Sequence, residues 1–125
     1  MDDILYKEYI LELHRNPLHK KVVPNAQMEA KEVNTSCGDE ISVQIYSNTQ
    51  GVIEDIGHQG QGCAISQAAV SLLTDFCLGK SVREVVNITD EEMVTMLGIH
   101  ISYARKNCAL LGLKALQHAI TNTTI

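Results

Sequence analysis

Between Ile41 and Phe76 the spacing of apolar residues changes period, and that change limits what the chain can fold into. Ile41, Val43 and Ile45 alternate with Ser42, Gln44 and Tyr46, the two-residue period of a strand with one covered face. Ser47-Asn48-Thr49-Gln50-Gly51 supplies a turn, and a second strand is expected from Val52 through Ile56. After Gly60-Gln61-Gly62 the period becomes helical. Ala64, Ile65, Ala68, Ala69, Leu72, Leu73 and Phe76 form a broad apolar face, and Gly79 stops it. Strands that precede helices, rather than alternating with them, predict an α+β fold.

The remaining segments fit that plan. A third strand is expected at Gln27 to Val33, where Met28, Ala30 and Val33 suggest a weaker alternation. Upstream, Tyr6, Tyr9, Ile10 and Leu13 recur at three- and four-residue spacing, the stripe of an amphipathic helix that Asn16-Pro17 ends. Ser81-Val82-Arg83-Glu84 and Thr89-Asp90-Glu91-Glu92 are capping boxes and predict two short helices. A last helix is expected from about Ala104 to Ile120, burying Leu110, Leu113, Ala115, Leu116 and Ala119, with Thr121 to Ile125 as a fraying tail. The expectation is a small three-stranded antiparallel sheet packed against four to five helices, in one domain over residues 1–125.

Composition narrows the function. The chain has 125 residues, 45% of them hydrophobic, enough to bury a core without disulfides. With no Trp and a single Phe, the core must be aliphatic. A net charge of −5 argues against a nucleic-acid partner, since phosphate contacts need clustered Lys and Arg. No run approaches the roughly 18 apolar residues of a membrane helix, and the opening Met1-Asp2-Asp3 is unlike a secretory signal. A cytoplasmic location follows as an expectation, and in a reducing cytoplasm the four cysteines serve more often as metal ligands or reactive groups than as disulfides.

The cysteines differ in their settings. Cys37 lies in Asn34-Thr35-Ser36-Cys37-Gly38-Asp39, a polar surface turn in which Gly38 allows a sharp bend. The Cys-x-Asp spacing can bring a thiolate and a harder carboxylate oxygen to one ion; the alternative is an exposed Cys with Asp39 capping the turn. Cys63 is expected in the first turn of the strongest helix, where unpaired N–H groups and the helix dipole favour the thiolate. Gly60 and Gly62 before it suggest a close backbone approach, the alternative being a small packed residue. Cys108, after Arg105-Lys106-Asn107, has positive charge beside it or else is simply buried. Cys77 is 14 residues beyond Cys63 in the same expected helix, about 21 Å away, too far to share an ion, and reads as a core or helix-end residue. His58 and His100 read as packed or solvated imidazoles, and no histidine pair has a metalloprotease-like spacing.

Taken together these segments resemble the IscU/SufU family, also called NifU N-terminal-like proteins. The resemblance spans nearly the whole chain, through Arg15-Asn16-Pro17, Asn34 to Asp39, Gly60-Gln61-Gly62-Cys63-Ala64-Ile65-Ser66, and Arg105-Lys106-Asn107-Cys108-Ala109-Leu110-Leu111. It implies that Cys37, Asp39, Cys63 and Cys108 hold iron, a nascent [2Fe–2S] cluster or zinc. It also implies a cysteine desulfurase that delivers persulfide sulfur, with Cys37 the preferred acceptor, and apo iron–sulfur proteins as recipients. A homodimer around a cluster is compatible with it. Cys77 has no place in the pattern. The wording Gly62-Cys63-Ala64-Ile65-Ser66 and the position of Arg105 are similar to SufU, whereas the insertion SufU proteins carry between their second and third cysteines is missing. Asn107 stands where IscU proteins have His, and Ile99 to Ala104 stands where IscU proteins have their chaperone-binding segment. Two functions follow from the resemblance: a scaffold that assembles and transfers a [2Fe–2S] cluster, or a zinc-dependent sulfurtransferase of SufU type.

Overall fold

A computed structural model describes residues 3–36 and 38–123, with side chains from Glu8 to Asn122. Cys37 therefore lies outside the described residues. In chain order the elements are α1 (Asp3–Arg15), β1 (Met28–Asn34), β2 (Asp39–Ser47), β3 (Ile53–Gln61), α2 (Ala64–Cys77), α3 (Val82–Val85), α4 (Asp90–Leu97), a 3-10 turn (Tyr103–Arg105) and α5 (Lys106–Thr123). The α+β fold is as expected: among the described residues, a three-stranded antiparallel sheet in the order β1-β2-β3 with five helices.

The alternation in β2 sets the sheet. Ile41, Val43 and Ile45 are fully buried on one face, while Ser42, Gln44 and Tyr46 are half-buried on the other. In β1, Met28 takes the core side but Val33 falls on the opposite face and is 54% exposed, so the weaker alternation there ends at Ala30. The β2–β3 turn closes where the Asn48 and Gly51 amides donate to the Val52 and Asn48 carbonyls at 2.9 Å.

Strand β3 runs five residues beyond its expected end at Ile56. Its polar, glycine-rich continuation is held by tertiary contacts that local pattern does not carry. A Cβ on Gly57 would stand 2.4 Å from the Lys21 carbonyl oxygen, and one on Gly60, at φ +123°, 2.1 Å from that of Glu40. The His58 amide donates to the His19 carbonyl at 3.0 Å, so the connection after α1 covers this edge of β3.

Helix α2 is the centre of the molecule. Ala68, Ala69, Val70, Leu73 and Cys77 are buried, and so are Ser66, Gln67, Ser71 and Thr74, so the helix is covered on nearly every side. Phe76, expected on the apolar face of this helix, is 42% exposed, with the Lys80 ammonium 4.3 Å from its ring centroid. Both capping boxes form, at Ser81/Glu84 and Thr89/Glu92. Helix α5 buries Leu110, Leu113, Ala115, Leu116 and Ala119 as expected. It begins two residues later than predicted, after the 3-10 turn, and continues through Thr121–Thr123 where a frayed tail was expected. Among the described residues no helix is long and apolar enough to cross a membrane.

Candidate metal centre

The β1–β2 turn is built by Asn34. Its carbonyl accepts the Gly38 amide at 2.9 Å, its side-chain oxygen accepts the Ser36 amide at 3.1 Å, and Gly38 takes φ +74°, a conformation that suits glycine. This turn delivers Asp39 as the first residue of β2, opposite Asn34. Asp39 is 2% exposed. Oδ1 accepts the Cys63 amide at 3.1 Å. Oδ2 is buried and, among the described residues, has no hydrogen-bond partner. A buried carboxylate oxygen without a donor is costly, by roughly 1–3 kcal/mol or more for a charged group, unless something else, such as a cation, satisfies it.

Cys63 is the N-cap of α2 rather than a residue of its first turn, with φ −72° and ψ 170°. The difference has a local cause. Its amide is taken by Asp39, whereas its carbonyl accepts the Gln67 amide at 3.1 Å and the Ser66 hydroxyl at 3.0 Å and so starts the helix. Cys108 arrives from the other side, in the first turn of α5, 4% exposed.

These three residues converge. One ligand atom from each of Asp39, Cys63 and Cys108 lies within 4.8 Å of the others, the one such group among the described residues. Ligand atoms around a tetrahedral ion at about 2.3 Å stand roughly 3.8 Å apart, so small side-chain rotations would close this group on a metal. Two soft thiolates with one hard oxygen suit zinc or iron.

The other candidates lie elsewhere. Cys77 ends α2 and is fully buried, and burial pushes its thiol up to about 12, so it stays protonated at neutral pH. His58 is 1% exposed; its Nε2–H donates to the Leu18 carbonyl at 2.8 Å, and burial lowers its pKa to about 4. It is a packed imidazole that fastens the post-α1 connection. His100 is exposed and outside the group. Ser66, whose hydroxyl braces Cys63, stood in the sequence only as the last residue of the 60–66 motif, with no role of its own, because a serine one turn into an apolar helix carries no special signal.

The fold is α+β, and where its sheet hands over to its helices it gathers a carboxylate and two cysteines that could hold a metal ion. The chain belongs to the family described as the NifU-like N-terminal domain, which it matches over residues 5–124. It is 29% identical to the iron–sulfur cluster assembly scaffold protein IscU of Thermotoga maritima, covering 94% of this chain and 93% of that one. It is 27% identical to the zinc-dependent sulfurtransferase SufU of Bacillus subtilis, covering 94% and 90%. Among solved structures, SufU of Fervidobacterium islandicum AW-1 superimposes with a TM-score of 0.77 at 24% identity, over 96% of this chain and 99% of that one, a likeness of fold.

Proposed function

We propose that residues 1–125 work as one iron–sulfur cluster assembly scaffold in the cytoplasm, with Cys37, Asp39, Cys63 and Cys108 holding the iron and sulfur of a [2Fe–2S] cluster until it passes to an apo-protein. The observation that carries this reading is the buried Oδ2 of Asp39, without a hydrogen-bond partner among the described residues, beside two cysteines whose ligand atoms lie within 4.8 Å. A structural zinc site closes with four strong Cys or His ligands. A site with one carboxylate holds its contents less tightly, as a protein that must release its cargo requires. The chain is a platform more than a catalyst, and four ligands suffice for the two irons of one cluster, so no second copy is required.

Sulfur comes from a cysteine desulfurase as a persulfide. A thiolate of this chain, Cys37 by its place in the family motif, attacks the outer sulfur; a new S–S bond forms, the old one breaks, and the desulfurase thiolate leaves. Entry into a cluster as sulfide then takes two electrons per sulfur from a donor outside the chain. The likeness to SufU supports a second reading, in which zinc occupies the group and persulfide transfer is the whole activity.

Anaerobic purification followed by incubation with iron, cysteine and a cysteine desulfurase tests both. Near-stoichiometric iron and sulfide with a red-brown chromophore is the result expected of a scaffold. Tightly held zinc, a persulfide on the chain and no chromophore would replace that reading with the sulfurtransferase.

A further inference from the structure

Gly62 carries no backbone strain that would demand glycine, since it is not among the residues with positive φ. Its constraint is space. A Cβ there would lie 2.4 Å from Ser66 Oγ, 2.9 Å from Asp39 Cγ and 3.0 Å from Asp39 Oδ1. The Asp39 carboxylate thus occupies the volume a side chain at position 62 would fill, and there the next amide, that of Cys63, binds Oδ1 and leaves Oδ2 without a partner among the described residues.

We propose that Gly62 is a positioning residue that makes Asp39 a one-oxygen ligand: the missing side chain admits the carboxylate, the Cys63 amide engages Oδ1, and Oδ2 alone is left for the metal. This rests on the reading of Asp39 as a ligand. A methyl group at position 62 pushes the carboxylate away from the amide and leaves the metal with thiolates alone. Restraint through one oxygen also keeps the carboxylate from closing on the metal with both, which keeps the ligand easy to displace.

The test is a cycle of variants in a Ser66→Ala background, which removes the closer of the two obstacles. Co²⁺ binding is measured by competition with a chromophoric chelator, the cobalt d–d bands report coordination, and the Cys63 amide proton shift in the metal-free protein reports its hydrogen bond. Gly62→Ala is expected to weaken binding by about 10–100-fold, to alter the d–d bands as Asp39→Ala does, and to move the Cys63 amide upfield. In an Asp39→Ala background the same change is expected to cost less than about twofold. An equal loss in both backgrounds, or unchanged binding in Gly62→Ala, overturns the positioning role. Unchanged binding in Asp39→Ala overturns the ligand reading beneath it. If Gly62→Ala fails to fold, recovery of the fold by Asp39→Ala supports the proposal, and failure of that variant too overturns it.

Discussion

Position in the fold separates cysteines of identical chemistry into different roles, since Cys77 and Cys108 are both buried and only Cys108 stands beside Asp39 and Cys63. Cys77 is surrounded by core side chains and keeps its proton at neutral pH, so Cys77→Ser should leave metal binding intact. It should lower stability by about 1–3 kcal/mol, the cost of a hydroxyl in an apolar setting, as urea denaturation would read. Cys63→Ser and Cys108→Ser should show the opposite pattern, with metal retention lost in a chelator competition. His58 provides a pH signature. Its unfolded pKa is near 6.5 and its folded value about 4, because burial opposes the charged ring. Between those values the unfolded chain binds a proton that the folded chain does not. Stability is therefore complete above pH 6.5 and falls as pH drops toward 4, by about 3 kcal/mol in all. Urea midpoints from pH 7.5 to 4.5 should show that decline in the wild type and a shallower one in His58→Gln; parallel curves would place the acid sensitivity elsewhere.

Among the elements, α2 and α5 pack tightly against each other at Gly112. A Cβ there would lie 2.8 Å from Val70 Cγ2 and 2.9 Å from Val70 Cβ. Gly112→Ala gains helix propensity, about 1 kcal/mol, yet should lower stability by roughly 1–3 kcal/mol because the core cannot yield. Val70→Ala should restore part of the loss, which thermal denaturation of the single and double variants would measure. At α4, Thr89→Ala removes the acceptor for the Glu92 amide and should cost about 1 kcal/mol. The capping boxes and the periods of β2, α2 and α5 were legible in the sequence because each is a local signal. The end of β3 was not, since Gly57, His58 and Gly60 resemble a loop until the Lys21, Leu18 and Glu40 carbonyls are seen against them. Phe76 was misplaced for a similar reason: periodicity alone does not register that Lys80 shelters it outside the core.

At the scale of the molecule, the candidate site draws one residue from the start of β2, one from the cap of α2 and one from the first turn of α5. Sequence motifs pointed to all three, whereas the bond from the Cys63 amide to Asp39 and the space left by Gly62 are products of folding. Because the group exists only in the folded chain, zinc at a thousandfold excess over its Kd is expected to add about 4 kcal/mol to stability. A rise in the unfolding midpoint that a chelator reverses, and that Cys108→Ser abolishes, would show this. The same placement sets a timetable. A nascent chain carries Asp39 and Cys63 for roughly 2–9 s of synthesis before Cys108 is joined on, and α5 must then still emerge and dock. The group can close only once Cys108 has been made and α5 has docked, so a copy arrested before that point lacks one of the three residues with which to hold a metal ion.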